Sequence, residues 1–150
     1  YAFGINAFGI MLFSTLNKKL AHQFSVLGRL KIGGTIQLIG AAILFVAGLI
    51  GQIPLWMVLS GMFLAVAGIG FTGPNAMALA MSEQGSRAGT ASAIMGSMQF
   101  ACGLLGGVIL NFLIWNALLN MALVMLAFVA VTLLAIKQLN PPAPHERPHS

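Results

Sequence analysis

The sequence predicts an all-α fold, a polytopic transmembrane helical bundle. Of the 150 residues, 59% are hydrophobic and only 6% are charged, whereas soluble domains carry roughly 25% charged residues because their surfaces contact water. Residues 32–82 and 88–136 contain no Asp, Glu, Lys or Arg, and each stretch can supply two spans of about 20 residues. Because backbone polar groups in a bilayer must be satisfied internally, these spans are predicted to be helices. A soluble globular domain is excluded.

The first apolar segment, residues 1–16, is slightly short of a full span and predicts a truncated transmembrane helix. A polar and basic loop is predicted over 17–33, followed by a second span over 35–50. The chain opens without Met and without a basic leader. We therefore expect a fragment whose upstream helices are missing.

Turn residues divide the rest of the chain. Gly and Pro at 51–54 predict a turn, a polar break follows at 82–88, and Trp115 marks a third turn at headgroup level. The spans between these turns are 55–81, 89–113 and 117–136. Residues 1–136 are thus predicted to form one transmembrane bundle, and the Pro-rich residues 137–150 a disordered tail.

The basic residues predict the orientation. If the 17–33 loop is cytoplasmic, alternation of the spans places all seven Lys and Arg residues on the cytoplasmic side. That asymmetry is typical of membrane proteins. It predicts a cytoplasmic C-terminus, makes the lipid bilayer the main partner and argues against nucleic-acid binding.

The fourth span carries a stripe of small residues. Six positions at spacings of three and four share one helix face: Gly89, Ser92, Gly96, Gln99, Gly103 and Gly106, with Gly107 completing a Gly-x-x-x-Gly pair. Such a stripe favours either close helix packing or a ligand-facing, gating surface.

Three amides are candidates to line a substrate cavity. Gln99 lies about 16 Å from the inner end of its span, near the bilayer midplane, and Asn6 lies at a similar depth. The third is Asn75, beside a predicted kink or break at Gly73-Pro74, where it could instead cap carbonyls freed by the proline. Gln37 is expected near the inner interface, snorkelling or pairing with a loop.

Other chemistry is sparse. Glu83 and Arg87, at i and i+4, suit an ion pair that acts as a structural clamp or a gate. The spans contain no Asp, Glu or His, and Cys102 is expected to be a small buried residue. We therefore expect no enzyme activity, no metal site and no cofactor.

The run from 71 to 107 resembles the major facilitator superfamily, most closely its bicyclomycin and chloramphenicol resistance (Bcr/CflA) drug efflux subfamily. The resemblance lies in Pro74-Asn75-Ala76, in the seven residues from Arg87 to Ala93, and in Gly96 and Gln99. It implies that the chain corresponds to helices 8 to 12 of a twelve-helix transporter.

The resemblance also implies a function: proton-coupled efflux of drug-like small molecules across the cell inner membrane by alternating access, together with the missing N-terminal half. It would turn Asn6, Asn75 and Gln99 toward the central cavity and place the second and fifth spans outside. Gly28, Arg29 and Lys31 fit the end of the family's inner-loop gating signature. The alternative from another class is a five-helix structural or assembly subunit.

Overall fold

The structure is a computed structural model that describes residues 2–50, 54–82 and 84–139. Over these residues the fold is all-α, as predicted. The helices are α1 (Ala2–Leu20), α2 (Val26–Leu49), α3 (Leu55–Ala67), α4 (Ile69–Met81), α5 (Ala88–Phe112) and α6 (Ala117–Gln138), with one 3-10 turn at Gly85–Arg87.

Four helical segments are long and apolar enough to cross a membrane: α2, the combined α3–α4 segment, α5 and α6. These four segments are compatible with a multi-pass membrane protein. Helix α1 coincides with the short first apolar segment. Helix α6 continues to Gln138, two residues into the predicted tail, and residues 140–150 lie outside the described part of the chain.

The predicted inner loop is mostly helical. Helix α1 runs on to Leu20, so Lys18 and Lys19 occupy its last turn, where the helix dipole favours cations. Helix α2 begins at Val26 because Ser25 caps it, its Oγ accepting a hydrogen bond from the Gly28 amide at 3.1 Å. The connection shrinks to residues 21–25.

The placement of Gly28, Arg29 and Lys31 in a loop is therefore wrong. All three lie in the first two turns of α2, which the Ser25 cap starts about nine residues before the predicted span. Their backbones are held in a helix rather than in a mobile inner loop.

The helix does not break at Gly73-Pro74, one of the two outcomes predicted there, and the kink stays a prediction. Both residues lie inside α4, and the helix is interrupted six residues earlier, at Gly68 between α3 and α4. A Cβ atom at Gly68 would come within 2.5 Å of Gln37 Cγ, so this is a point of close approach to α2. Pro74 frees the carbonyl of Gly70, one turn before it, and Ser14 Oγ lies 3.5 Å from that oxygen.

Helix α2 lies at the centre of the packing, although the resemblance placed it outside. One of its faces meets α3 and α4 through glycines spaced seven apart: Gly33 and Gly40 on α2, Gly61 and Gly68 opposite. A Cβ at Gly40 would lie 2.5 Å from the backbone nitrogen of Ala65. Glycine lets membrane helices approach this closely, and we call this contact the glycine crossing.

A neighbouring face of α2 packs on α6. Gly48 lies against Leu119, where a Cβ would come within 3.1 Å of the Leu119 Cα. Asn116 joins the two helices here: its Nδ2 donates to the Gly48 carbonyl at 3.0 Å, and its Oδ1 caps α6 by accepting from the Leu119 amide at 2.8 Å. The C-terminal end of α2 is thereby tied to the start of α6.

Helix α1 packs on α3 and α4. Phe13 makes edge-to-face contacts with Phe63 at 6.3 Å and with Phe71 at 6.0 Å between ring centroids, an arrangement that aromatic pairs prefer. Gly9 lies under the Phe63 ring, with no room for a side chain. Helices α1, α2, α3, α4 and α6 thus form one packed group, and α5 lies at its edge.

Candidate functional site

A groove of about 570 Å³ lies between α2, α4, α5 and α6. Its walls are mainly apolar, with Ile69, Phe128 and Val129 among them. This volume falls within the range of roughly 300–1,000 Å³ typical of small-molecule sites. We call it the lateral groove.

Each of the four helices places one uncharged hydrogen-bonding side chain in the lateral groove: Gln37 from α2, Thr72 from α4, Gln99 from α5 and Thr132 from α6. The Thr72 and Thr132 hydroxyls donate within their own helices, to the carbonyls of Gly68 at 3.3 Å and Phe128 at 3.0 Å. They therefore offer acceptor lone pairs to the groove, while each Gln amide offers both donors and an acceptor.

Gln37 lines the lateral groove, and its expected place near the inner interface stays a prediction. Because α2 begins at Val26, Gln37 lies 11 residues into the helix, or about 16 Å along it. Its side chain is half-buried, with Cγ against Gly68. These contacts place Gln37 between α2 and α4 at the groove.

Gln99 lies at the rim of the lateral groove and is exposed on the surface of α5. Its contact with a substrate remains a prediction. The signal that pointed to it, an amide near the middle of an apolar span, was sufficient to find a groove-lining residue.

A second polar feature joins the last turn of α1, the first turn of α2 and the second half of α4, on the side that the basic residues predict to be cytoplasmic, and we call it the inner amide cluster. It consists of Asn17, Arg29 and Asn75. Asn75 Nδ2 donates to Asn17 Oδ1 at 2.9 Å, and Arg29 Nη1 donates to the same oxygen at 3.2 Å and to the Asn17 carbonyl at 3.4 Å. Asn75 is 2% exposed and Asn17 is 4% exposed.

Asn75 does not cap the carbonyl that Pro74 frees. Its Nδ2 also donates to the carbonyl of Phe71, four residues earlier, at 2.7 Å. The freed carbonyl belongs to Gly70 and faces Ser14 on α1. Asn75 therefore links α4 to α1 and is not free to line a cavity.

The structure does not bring the three predicted amides together. Asn75 is in the inner amide cluster and Gln99 is on the lateral groove, while half-buried Asn6 lies 11 residues from Asn17, or about 16 Å along α1. Convergence fails because α1 and α4 meet through Asn17 at their inner ends.

Asn17 is a residue that the sequence reasoning missed. Because Lys18 and Lys19 are charged, this segment was predicted to be a loop. In the structure Asn17 instead lies in the last turn of α1. The detectable signal was a single Asn immediately before two lysines, at the point where the first apolar segment ends.

The small-residue stripe of α5 does not pack against the described helices. A Cβ atom added at Gly89, Gly96, Gly103 or Gly107 would meet nothing within 4 Å. Gly106 is the exception, with Phe128 of α6 at 3.5 Å. Close packing of the whole stripe is thus not realised among the described residues.

Two other residues of α5 show how loosely it is held. The Ser92 hydroxyl makes a weak contact with α4, where it donates to Met81 Sδ at 4.0 Å. Cys102 is exposed, so the expectation that it is buried is wrong, because the described helices leave its face of α5 uncovered. An apolar cleft of about 470 Å³ between α5 and α6 includes Cys102, Gly103 and Gly107.

The turn between α4 and α5 contains the other predicted inner residues. Arg87 ends the 3-10 turn, is exposed and borders a cavity of about 370 Å³ with Gln84 and Thr90. Glu83 lies outside the described residues, so the predicted ion pair between Glu83 and Arg87 remains a prediction.

Within residues 2–50, 54–82 and 84–139, no group of three His, Cys, Asp or Glu side chains is placed to hold a metal ion. No protein-family model, curated protein or solved structure matches the chain. The family resemblance therefore remains a prediction, and the lateral groove and the inner amide cluster carry the functional argument.

Proposed function

We propose that this chain is the C-terminal part of a proton-coupled efflux transporter of the major facilitator superfamily, Bcr/CflA subfamily. It would move drug-like small molecules across the cell inner membrane. The observation that carries the proposal is the lateral groove, to which four helices each contribute one uncharged hydrogen-bonding residue. Two of its walls, α4 and α5, belong to spans that the resemblance turns toward the central cavity, whereas the other two, α2 and α6, belong to spans that it places outside.

An amide inside a bilayer is costly unless it meets a partner, a water-filled cavity or a ligand. Two glutamines from different helices, Gln37 and Gln99, border the same groove. A solute that carries both donors and acceptors would satisfy both amides in the groove. This favours a solute-binding surface over a purely structural one.

The spans contain no carboxylate or histidine, so the proton-coupling residues of this proposal belong to the N-terminal half of the transporter. That half is the principal partner, with the substrate, protons and the lipid bilayer. The positive-inside asymmetry supports a cytoplasmic C-terminus. The sparse chemistry of the chain favours transport over enzyme activity.

The packing supports a model of alternating access in which one wall of the groove moves and another stays fixed. The glycine crossing locks α2 to α3 and α4, whereas α5 has an open glycine-bearing face. Sliding and tilting of packed helices is a common form of transporter motion. By sequence, the third span, with Gly73 and Pro74, and the glycine-rich fourth span are both candidates for the moving wall of the groove. Because the glycine crossing holds α3 and α4 to α2, we assign α5 alone to the moving wall and the α2–α3–α4 group to the fixed wall.

The second candidate is a structural or assembly subunit of the membrane. The open face of α5 favours it, because a partner helix could cover Gly96 and Gly103 closely. The two functions differ in a simple readout: a transporter changes the cellular accumulation of solutes, and a subunit does not.

The test is the Gln99→Ala variant in the complete transporter, with Ser97→Ala as the matched control. Ser97 is also exposed on α5, but its hydroxyl donates to the carbonyl of Ala93 in its own helix. We expect Gln99→Ala to change the relative resistance to hydrogen-bonding and apolar drugs about five- to tenfold, the value of one hydrogen bond. The measurement is drug accumulation across a panel of compounds.

The control should leave the substrate profile unchanged, and both variants should reach the membrane in wild-type amounts. An identical profile for Gln99→Ala and wild type would reject the groove as the substrate site. Absence of any drug-dependent phenotype for the complete wild-type protein would favour the subunit.

A further inference from the structure

The inner amide cluster joins three helices through one acceptor atom. Asn17 Oδ1 on α1 receives hydrogen bonds from Asn75 on α4 at 2.9 Å and from Arg29 on α2 at 3.2 Å. Both asparagines are almost fully buried. The polar contact between α1, α2 and α4 at this end therefore depends on the hydrogen-bonding capacity of Asn17.

The cluster is incompletely satisfied. Arg29 Nε is buried and has no hydrogen-bond partner among the described residues, and Nη1 makes two rather long contacts to Asn17. A buried donor left without a partner raises the free energy of the arrangement that buries it. An arrangement that exposes the guanidinium to water would satisfy this donor, so the closed cluster is held only weakly.

The location of the cluster allows it to open without unfolding the bundle. Asn17 precedes the two lysines that end α1, Arg29 lies in the first turn of α2, and Asn75 lies six residues, or about 9 Å, from the end of α4.

The glycine crossing holds α2 to α3 deeper in the bundle, at Gly40 and Ala65. Gly70 of α4 also lies close to the α1 backbone, where a Cβ would come within 2.7 Å of the Ile10 carbonyl oxygen and 2.8 Å of the Ser14 nitrogen. The last turn of α1, beyond Ser14, can separate from α4 while both of these close contacts stay in place.

We propose that the inner amide cluster is a latch that closes the inner end of the α1–α2–α4 group, with Asn17 as its positioning residue. Loss of the Asn17–Asn75 hydrogen bond opens a path for water between α1 and α4. Its place in a transport cycle rests on the proposed function. The opening itself is a property of this chain and can be measured without transport.

The reporter is Ser14→Cys, in a Cys102→Ser background, in the full chain reconstituted into liposomes. Ser14 is half-buried between α1 and α4, one turn from Asn17, with its hydroxyl near the Gly70 carbonyl. A water-soluble maleimide modifies the introduced thiol only when water reaches this interface. The alkylation rate therefore reports how often the latch is open.

Two substitutions at Asn17 should move the rate in opposite directions. Asn17→Ala removes the shared acceptor, and we expect alkylation about fivefold faster or more, as for the loss of one or two hydrogen bonds. Asn17→Asp keeps the acceptor and adds a charge facing Arg29, and because charge-assisted bonds are about twice as strong, we expect alkylation several-fold slower. The matched controls are Asn6→Ala and Asn6→Asp, on the same helix outside the cluster.

Opposite shifts for the two Asn17 variants, with unchanged rates for the Asn6 controls, support the latch. A merely structural asparagine would lower the melting temperature on substitution without changing alkylation well below that temperature, and this result overturns the proposal. Equal acceleration by Ala and Asp also overturns it. In the complete transporter, a stabilised Asn17→Asp variant should transport more slowly than wild type, whereas a protein without transport activity fails only the proposed function.

Discussion

Two sets of glycines in this protein do different things. At the glycine crossing, a Cβ at Gly40 or Gly61 would come within 2.5–3.0 Å of atoms on the opposite helix. On α5, a Cβ at Gly96 or Gly103 would meet nothing within 4 Å. Both sets lie on apolar helices at regular spacings, so their patterns in the sequence look alike.

The buried fractions of α2 and α5 differ in the same way. In the most apolar 18-residue stretch of each helix, 39% of α2 is buried inside the protein but only 6% of α5. A stripe of small residues predicts that a helix is able to approach another closely. Whether it does so depends on which face the rest of the chain covers, and α5 keeps its stripe open.

The largest expected effect concerns the glycine crossing. Gly40→Leu would force a side chain against the backbone of Ala65 and Gly61, and we expect the free energy of unfolding to fall by more than about 3 kcal/mol, the upper range for overpacking. Thermal unfolding in detergent measures this. Gly103→Leu is the matched control and should unfold like wild type, so equal losses for both would remove the distinction between the two sets.

The next largest effect concerns the uncovered glycines of α5. In the complete transporter, Gly96→Leu and Gly103→Leu should reduce transport about tenfold or more, because the added side chains would obstruct close approach of α5 to the N-terminal half. Membrane insertion should be nearly unchanged. Drug efflux and the amount of protein in the membrane are the two readouts, and unchanged efflux would argue against a moving role for α5.

A smaller effect distinguishes two contributions to the contact between α2 and α6, the packing of glycines and the hydrogen bonds of Asn116. Asn116→Ala removes both the cap of α6 and the bond to the Gly48 carbonyl, and we expect a loss of about 1–2 kcal/mol in stability. Asn111→Ala, an exposed position near the end of α5, is the control and should change little. If Asn116→Ala also unfolds like wild type, glycine packing alone holds α2 against α6.

Much of the fold was predictable because its determinants are local. Low charge and long apolar runs indicated helices and a membrane, and the polar breaks located their ends to within a few residues, except before α2. There the error came from reading Lys18, Lys19 and Arg29 as a loop, although Ser25 is a recognisable helix cap. A basic residue near an interface is compatible with helix as well as loop.

The candidate site was predictable only in part. A lone amide in an apolar span singled out Gln99 and Asn75, and both have polar roles, one on the lateral groove and one in the inner amide cluster. Asn17 escaped notice because its importance comes from Asn75, 58 residues away. Pairing over that distance leaves no trace in periodicity or spacing.

The sequence by itself determined that this protein is helical and suited to a membrane, because composition and hydropathy act on each segment independently of the others. Only the tertiary structure decided which glycines lie against a neighbouring helix. It alone also decided that Asn17 Oδ1 accepts hydrogen bonds from both Asn75 and Arg29. Those outcomes depend on which helix faces meet. Several faces of each helix are apolar enough to meet, so the choice follows from the packing of all helices together.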